Sequence, residues 1–122
     1  MSDDVNVVVL SGRLVADPEK RKTPSDVPVC DFVVASNRYK RKEGQERSTQ
    51  FTSFVKVTLW NAQAVKMHNM LRKGDTVLVK GQLVDDNFEH GDVRTSGRLK
   101  IDNARVTLLV PVPAAGEEVV EE

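Results

Sequence analysis

At 122 residues the chain has the length of one domain with a single core, and 39% hydrophobic with 30% charged residues is an ordinary soluble composition. No apolar run approaches the ~20 residues that cross a bilayer, the opening Met1-Ser2-Asp3-Asp4 lacks the apolar stretch of a secretion signal, and a single cysteine, Cys30, excludes an internal disulfide and a cysteine-built zinc site. The formal charge is zero, but Asp3, Asp4, Glu117, Glu118, Glu121 and Glu122 hold six of the 18 acidic residues at the two ends, so residues 5–116 carry a net charge of +6.

That basic body points to a polyanionic partner, and the expected compartment is the cytoplasm. Valine, with 21 residues, dominates the composition and favours strands. Val-rich stretches separated by Gly, Pro and charged turns predict strands at about 5–15, 28–39, 50–60, 75–84 and 98–110. Gly12 lies inside the first, where glycine marks a sharp bend or a close backbone approach. The second holds Cys30 beside Phe32 and Val34, and Cys30 reads as a small core residue. After it comes Asn37-Arg38-Tyr39-Lys40-Arg41-Lys42, one aromatic ring set among four cations. A solvated hairpin accounts for the charges but not for Tyr39.

The third strand is the most informative. Side chains alternate between faces along a strand. One face carries Phe51, Ser53, Val55, Val57 and Leu59 and is assigned to the core. The other carries Thr52, Phe54, Lys56, Thr58 and Trp60, a polar row holding two aromatics about 20 Å apart at ~3.3 Å per residue. Such a row suits rings that stack on bases with a cation for phosphate. It equally suits packing on a second layer or another subunit.

Residues 61–73 lack Pro, Gly and β-branched runs and predict a short helix, with Asn61 as its N-cap and Gly74 as its stop. Ala64, Met67, Met70 and Leu71 fall near helical spacing, and His68 reads as a solvated helix residue. Gly81 lies inside the fourth strand. The following loop, Val84-Asp85-Asp86-Asn87-Phe88-Glu89-His90-Gly91-Asp92, isolates Phe88 among polar residues, which favours binding over packing. In the last strand Leu99 and Ile101 share one parity and Ala104, Val106 and Leu108 the other, so a β-bulge is expected near Asp102–Asn103. The segment from Pro111 onward is acidic, aperiodic and expected to be disordered.

Three strands, one helix and two strands predict a mostly-β fold, an OB-fold: a five-stranded Greek-key barrel with one short helix between strands three and four. The domain is expected over residues 1–110 and the tail over 111–122.

Several blocks also resemble the bacterial single-stranded DNA-binding protein family, in order along residues 5–110. Val5 to Leu14 looks like that family's first strand. Asp17-Pro18-Glu19-Lys20-Arg21-Lys22-Thr23-Pro24-Ser25 resembles its characteristic turn, with Asp26 where glycine is usual. Phe32-Val33-Val34-Ala35-Ser36-Asn37-Arg38, Val57-Thr58-Leu59-Trp60-Asn61, Leu71-Arg72-Lys73-Gly74-Asp75 and Val79-Lys80-Gly81-Gln82-Leu83 are similar to later segments. The resemblance implies an OB-fold, usually a homotetramer, that binds single-stranded DNA without strong sequence preference in replication, recombination and repair.

The family's aromatic platform would fall on Tyr39, Phe54, Trp60 and Phe88, the four rings already singled out. Its phosphate contacts would fall on Arg21, Arg38, Lys40, Lys56, Arg72 and Lys73. The family's acidic Pro-Phe end, which recruits other proteins, is absent from Glu117-Glu118-Val119-Val120-Glu121-Glu122, so such recruitment is not expected. No cofactor or metal is expected.

Two other functions would fit parts of the pattern. An OB-fold bridging module like the primosomal replication protein would bind DNA weakly and proteins mainly. A nuclease would need a metal on Asp85, Asp86, Glu89, His90 and Asp92, but a solvated acidic hairpin explains these residues, and no Ser–His–Asp, P-loop or H-E-x-x-H pattern is present. RNA as the bound strand is compatible with a stacking platform.

Overall fold

The computed structural model describes residues 3–86 and 98–109, with the backbone of 89–90 and 93–94. Its elements are β1 (Val8–Leu14), β2 (Glu19–Lys22), β3 (Pro28–Lys40), β4 (Thr49–Trp60), α1 (Asn61–Met70), β5 (Thr76–Asp85), β6 (Glu89–His90), β7 (Val93–Arg94) and β8 (Leu99–Leu109). Strand order β1-β5-β8-β4-β3, closed by pairing of β1 with β3, makes the five-stranded OB barrel that the sequence predicts. All pairings in the ring are antiparallel except β4 with β8, which is parallel and joins only at Lys56–Lys100 and Val57–Ile101.

Alternation fills the barrel. Leu14, Phe32, Val34, Val57, Leu59, Val77, Val79, Ile101, Ala104 and Val106 point inward and are buried, with Cys30 among them. Burial, and secondarily the charge of Asp31, pushes the Cys30 thiol up to about 11. The reactive species is the thiolate. Cys30 is therefore expected to resist a thiol reagent at pH 8 in the folded protein and to react at once in denaturant, as a colorimetric thiol assay would show.

Both strand glycines sit where a side chain has no room. A Cβ on Gly12 would strike the Ala35 carbonyl oxygen and Val34, at the point where β1 leaves β5 for β3. A Cβ on Gly81 would lie 2.6 Å from Ile101 and 2.8 Å from the Asp102 carbonyl. Opposite Gly81 the register slips: Lys80 faces Arg105 and Gln82 faces Asp102, so β8 carries an extra residue there. This is the expected bulge, and Asn103 within it has φ +50°. It moves Lys100 and Asp102 onto the outer face while keeping Ile101 and Ala104 inside.

Several local readings are corrected. The first strand begins at Val8, not residue 5. Ahead of it Asn6 substitutes its side-chain amide for a ladder, donating to the Leu83 carbonyl and accepting from the Leu83 amide, each at 2.8 Å. The Asp17–Ser25 turn contains β2, which pairs with Pro28–Asp31 of β3. Its reversal places Asp26 at φ +66°, a conformation that glycine adopts freely and that Asp or Asn tolerates better than most side chains.

Asn61 is not the N-cap. Trp60 precedes the helix with extended backbone and no side-chain cap, and Asn61 is its first residue at φ +59°. Nor does Gly74 stop it. Leu71 turns extended to bury its side chain in the core, ending the helix, and Gly74 (φ +90°) serves the turn that leads to β5. Of the apolar residues expected at helical spacing, Ala64, Met67 and Leu71 are buried and Met70 is exposed, while His68 is half-buried rather than solvated. The helix packs against β3 and β4. No helix among the described residues is long and apolar enough to cross a membrane.

Candidate nucleic-acid interface

The β3–β4 hairpin is longer than the barrel is tall. Pairing continues from Val29–Trp60 to Lys40–Thr49, and beyond Val55 it projects into solvent with both faces wet. This overturns the assignment of Phe51 to the core. It has core parity, but it lies past the end of the barrel, is 44% exposed, and carries the Arg38 guanidinium 5.7 Å from its ring centre. Distance along the hairpin, not parity, decides its burial. Phe32, assigned to the core by the same rule, is buried.

The outer face of β4 presents Phe54, 69% exposed, then Lys56, Thr58 and Trp60 toward the helix. Tyr39, 66% exposed, stands near the hairpin end of β3 among Arg38 and Lys40. Tyr39, Arg38, Lys40 and Phe51 together line a concave site on the arm. Cross-strand hydrogen bonds from Thr52 (2.6 Å) and Gln50 (3.2 Å) to the Asn37 side chain stiffen this part of the hairpin.

At the barrel end of the face, charge is organised in pairs. The Arg21 Nε donates to Asp31 at 2.6 Å, and Thr58 donates to the other carboxylate oxygen at 2.7 Å. Lys100 donates to Thr58 at 3.3 Å, which satisfies a hydroxyl that is wholly buried although its residue faces outward. Lys56 pairs with Asp86 at 3.4 Å. The Trp60 indole N–H donates to Asp102 at 2.7 Å, leaving the ring half-buried. Beside the ring a hollow is lined by Asn61, Gln63, Asn103 and Arg105.

Burial pushes the Asp31 carboxyl up, but hydrogen bonds from Arg21 and Thr58, aided by the charges of Arg21 and Lys56, outweigh it and hold the group below its ordinary value. A carboxylate depressed in the folded state stabilises the fold above its unfolded pKa, and the contribution disappears as pH falls through the folded one. Stability is thus expected to fall below about pH 4, as Asp31 protonates. Acid titration of the far-ultraviolet circular dichroism should show a smaller fall in this window for Asp31→Asn.

A family model described as the single-strand binding protein family matches residues 5–109. The chain belongs to the single-strand binding protein family. It is 34% identical over 114 residues to the single-stranded DNA-binding protein of Bacillus cereus, an alignment covering 93% of this chain and 65% of that protein. It is 40% identical over 86 residues to single-stranded DNA-binding protein A of Bacillus subtilis, covering 70% and 48% respectively. The chain thus spans just under two thirds of the length of the first relative and about half of the second. Among solved structures it is similar to the Plasmodium falciparum SSB complex with ssDNA, with TM-score 0.75, 19% identity, and coverage of 90% of this chain and 99% of that one. It is also similar to a deletion mutant of the single-stranded DNA binding protein from Thermus aquaticus, with TM-score 0.74, 25% identity, and coverage of 87% and 51%.

In this member of the single-strand binding protein family, one outer face brings together Tyr39 on the arm with Phe54, Lys56 and Trp60 on β4, while Arg38 and Lys40, opposite Phe51 and Thr49, lie on the other face of the arm. Arg21 joins it through Asp31. Arg72 follows the helix, and its guanidinium donates to the Leu71 and His68 carbonyls. Lys73 sits in the same turn, its backbone amide bonded to Asp17, which lines a groove with Val33 and Lys56. Phe88 and Asp92 lie outside the described residues, as does the acidic segment from 110 onward.

Sequence reasoning missed Lys100 and Asp102. The signal was present, because the parity break that located the bulge also places both on the face of Lys56 and Trp60.

Proposed function

We propose that this chain binds single-stranded DNA without strong sequence preference. Bases stack on Tyr39, Phe54, Trp60 and Phe88, and phosphates are met by Arg38, Lys40, Lys56, Arg21 and Lys73, with a lesser part for Arg72. The observation that carries this reading is Phe54, a large ring left 69% exposed on a strand face in one row with Lys56 and Trp60. A ring in water on a flat sheet has no packing role within its own barrel, and a base offers it a partner that carries its own anion.

The binding is passive: the protein coats and protects the strand in replication, recombination and repair, and transforms no bond. We read residues 1–110 as the binding domain and 111–122 as an appended acidic tail. Four copies are expected to assemble in the cytoplasm at the nucleoid. Leu78 and Leu109, exposed on the outside of β5 and β8, supply apolar surface for association.

The test is titration of Trp60 fluorescence with long oligo-dT at low and high salt, since the chain has one tryptophan. Saturable quenching is expected, with log affinity falling against log salt by about 0.7 per phosphate contact. An unquenched, salt-indifferent Trp60 in folded protein would leave the bridging module as the better account. Parallel titration with oligo-U ranks DNA against RNA.

A further inference from the structure

We infer that Asp102 is a positioning residue for the binding face: it holds the Trp60 ring in its stacking orientation through the indole N–H. The inference rests on Trp60 being a stacking residue, as proposed above. Asp102 is out of place on electrostatic grounds. A carboxylate on a face that meets phosphates repels them, and no ion pair among the described residues neutralises this one. Yet its Oδ1 lies 2.7 Å from Trp60 Nε1, a short charge-assisted bond.

The backbone is built to deliver it there. The β8 bulge turns Asp102 outward next to the left-handed Asn103, and the bulge fits because Gly81 opposite has no side chain. Trp60 is the last residue of β4, followed by the left-handed Asn61. Its ladder partner is Val29 of β3, and the pairing of β4 with β8 stops at Val57, so no backbone ladder ties Trp60 to β8. The hydrogen bond across to β8 replaces the missing constraint. It also occupies the one polar donor of the ring, so that Trp60 offers a base its face alone. Stacking through the face is tolerant of sequence, because every base has one.

The two roles open to Asp102 make opposite predictions. If it acts only as a charge, Asp102→Ala removes a repulsive anion and tightens binding. If it positions Trp60, Asp102→Ala weakens binding to labelled oligo-dT, read by fluorescence anisotropy, by about 3- to 10-fold. Asp102→Asn, which keeps an acceptor oxygen and drops the charge, should then bind at least as tightly as the unaltered protein.

The decisive comparison is a cycle with Trp60→Phe, which has no N–H to hold. There Asp102→Ala should tighten binding. Weakening by the same factor in that background would show a general structural effect and overturn the proposal, as would unchanged or tighter binding by Asp102→Ala alone, or an Asp102→Asn as weak as Asp102→Ala.

A readout without DNA separates this proposal from the one beneath it. In the free protein Asp102→Ala should raise the mobility of Trp60, seen as lower steady-state anisotropy and readier quenching by acrylamide, with melting retained. An indole as immobile as before overturns the positioning role. An indole freed by Asp102→Ala in a protein that binds no single strand sustains the hydrogen-bond constraint and overturns the stacking reading.

Discussion

Joint replacement of Phe54 and Trp60 by alanine is expected to cost about 2–6 kcal/mol of affinity for oligo-dT, at roughly 1–3 kcal/mol per stacked base. The two sites should separate in stability. Phe54 is mostly in water and contributes little to the fold, so Phe54→Ala should melt with the unaltered protein while losing its share of binding. Trp60 is half-buried and hydrogen-bonded, so Trp60→Ala should lower stability as well. The checks are anisotropy of a labelled oligonucleotide and thermal melting on the same samples. Full affinity in the double variant would remove the aromatic row as the binding surface.

The second large effect lies at the barrel seam. Ile101→Ala is expected to destabilise the fold by about 2–5 kcal/mol, the usual range for truncating a buried aliphatic side chain. Ile101 is fully buried, faces Val57 across the two-residue parallel contact that joins β4 to β8, and fills the space that Gly81 leaves. Chemical denaturation should show the loss as a lower midpoint with an unchanged slope. A loss below 1 kcal/mol would mean that the seam contributes little to closure.

Local signals made the fold legible. Alternation in β3, β4 and β8 located the core, and a parity break located the bulge. Those signals depend on neighbours one or two residues away. They failed at Phe51, whose parity is right but which lies beyond the reach of the other strands. They failed at Asn61, whose side chain suits a cap but which begins the helix range in a left-handed turn out of β4. β2 was hidden because Glu-Lys-Arg-Lys has no apolar alternation, and it is held by its ladder and the Arg21–Asp31 pair to β3.

For the candidate site, Tyr39, Phe54 and Trp60 were legible as rings in polar company. The pairing of Arg21 with Asp31, Lys56 with Asp86 and Trp60 with Asp102 was not, because each bond joins positions ten to forty-two residues apart.

The way β1 is shared has a kinetic side. Val8 meets Gly81 and Leu14 meets Val34, so one short strand completes the ring at both ends only after most of the chain has been ordered. The β3–β4 arm, in contrast, is a near-neighbour hairpin. Closing long loops before any contact rewards it slows folding, and topologies with this much distant pairing fold in roughly milliseconds to seconds. The arm that carries the exposed rings is expected to zip early and wait for the ring to shut, so the newly made chain would show its stickiest surface before its core is sealed.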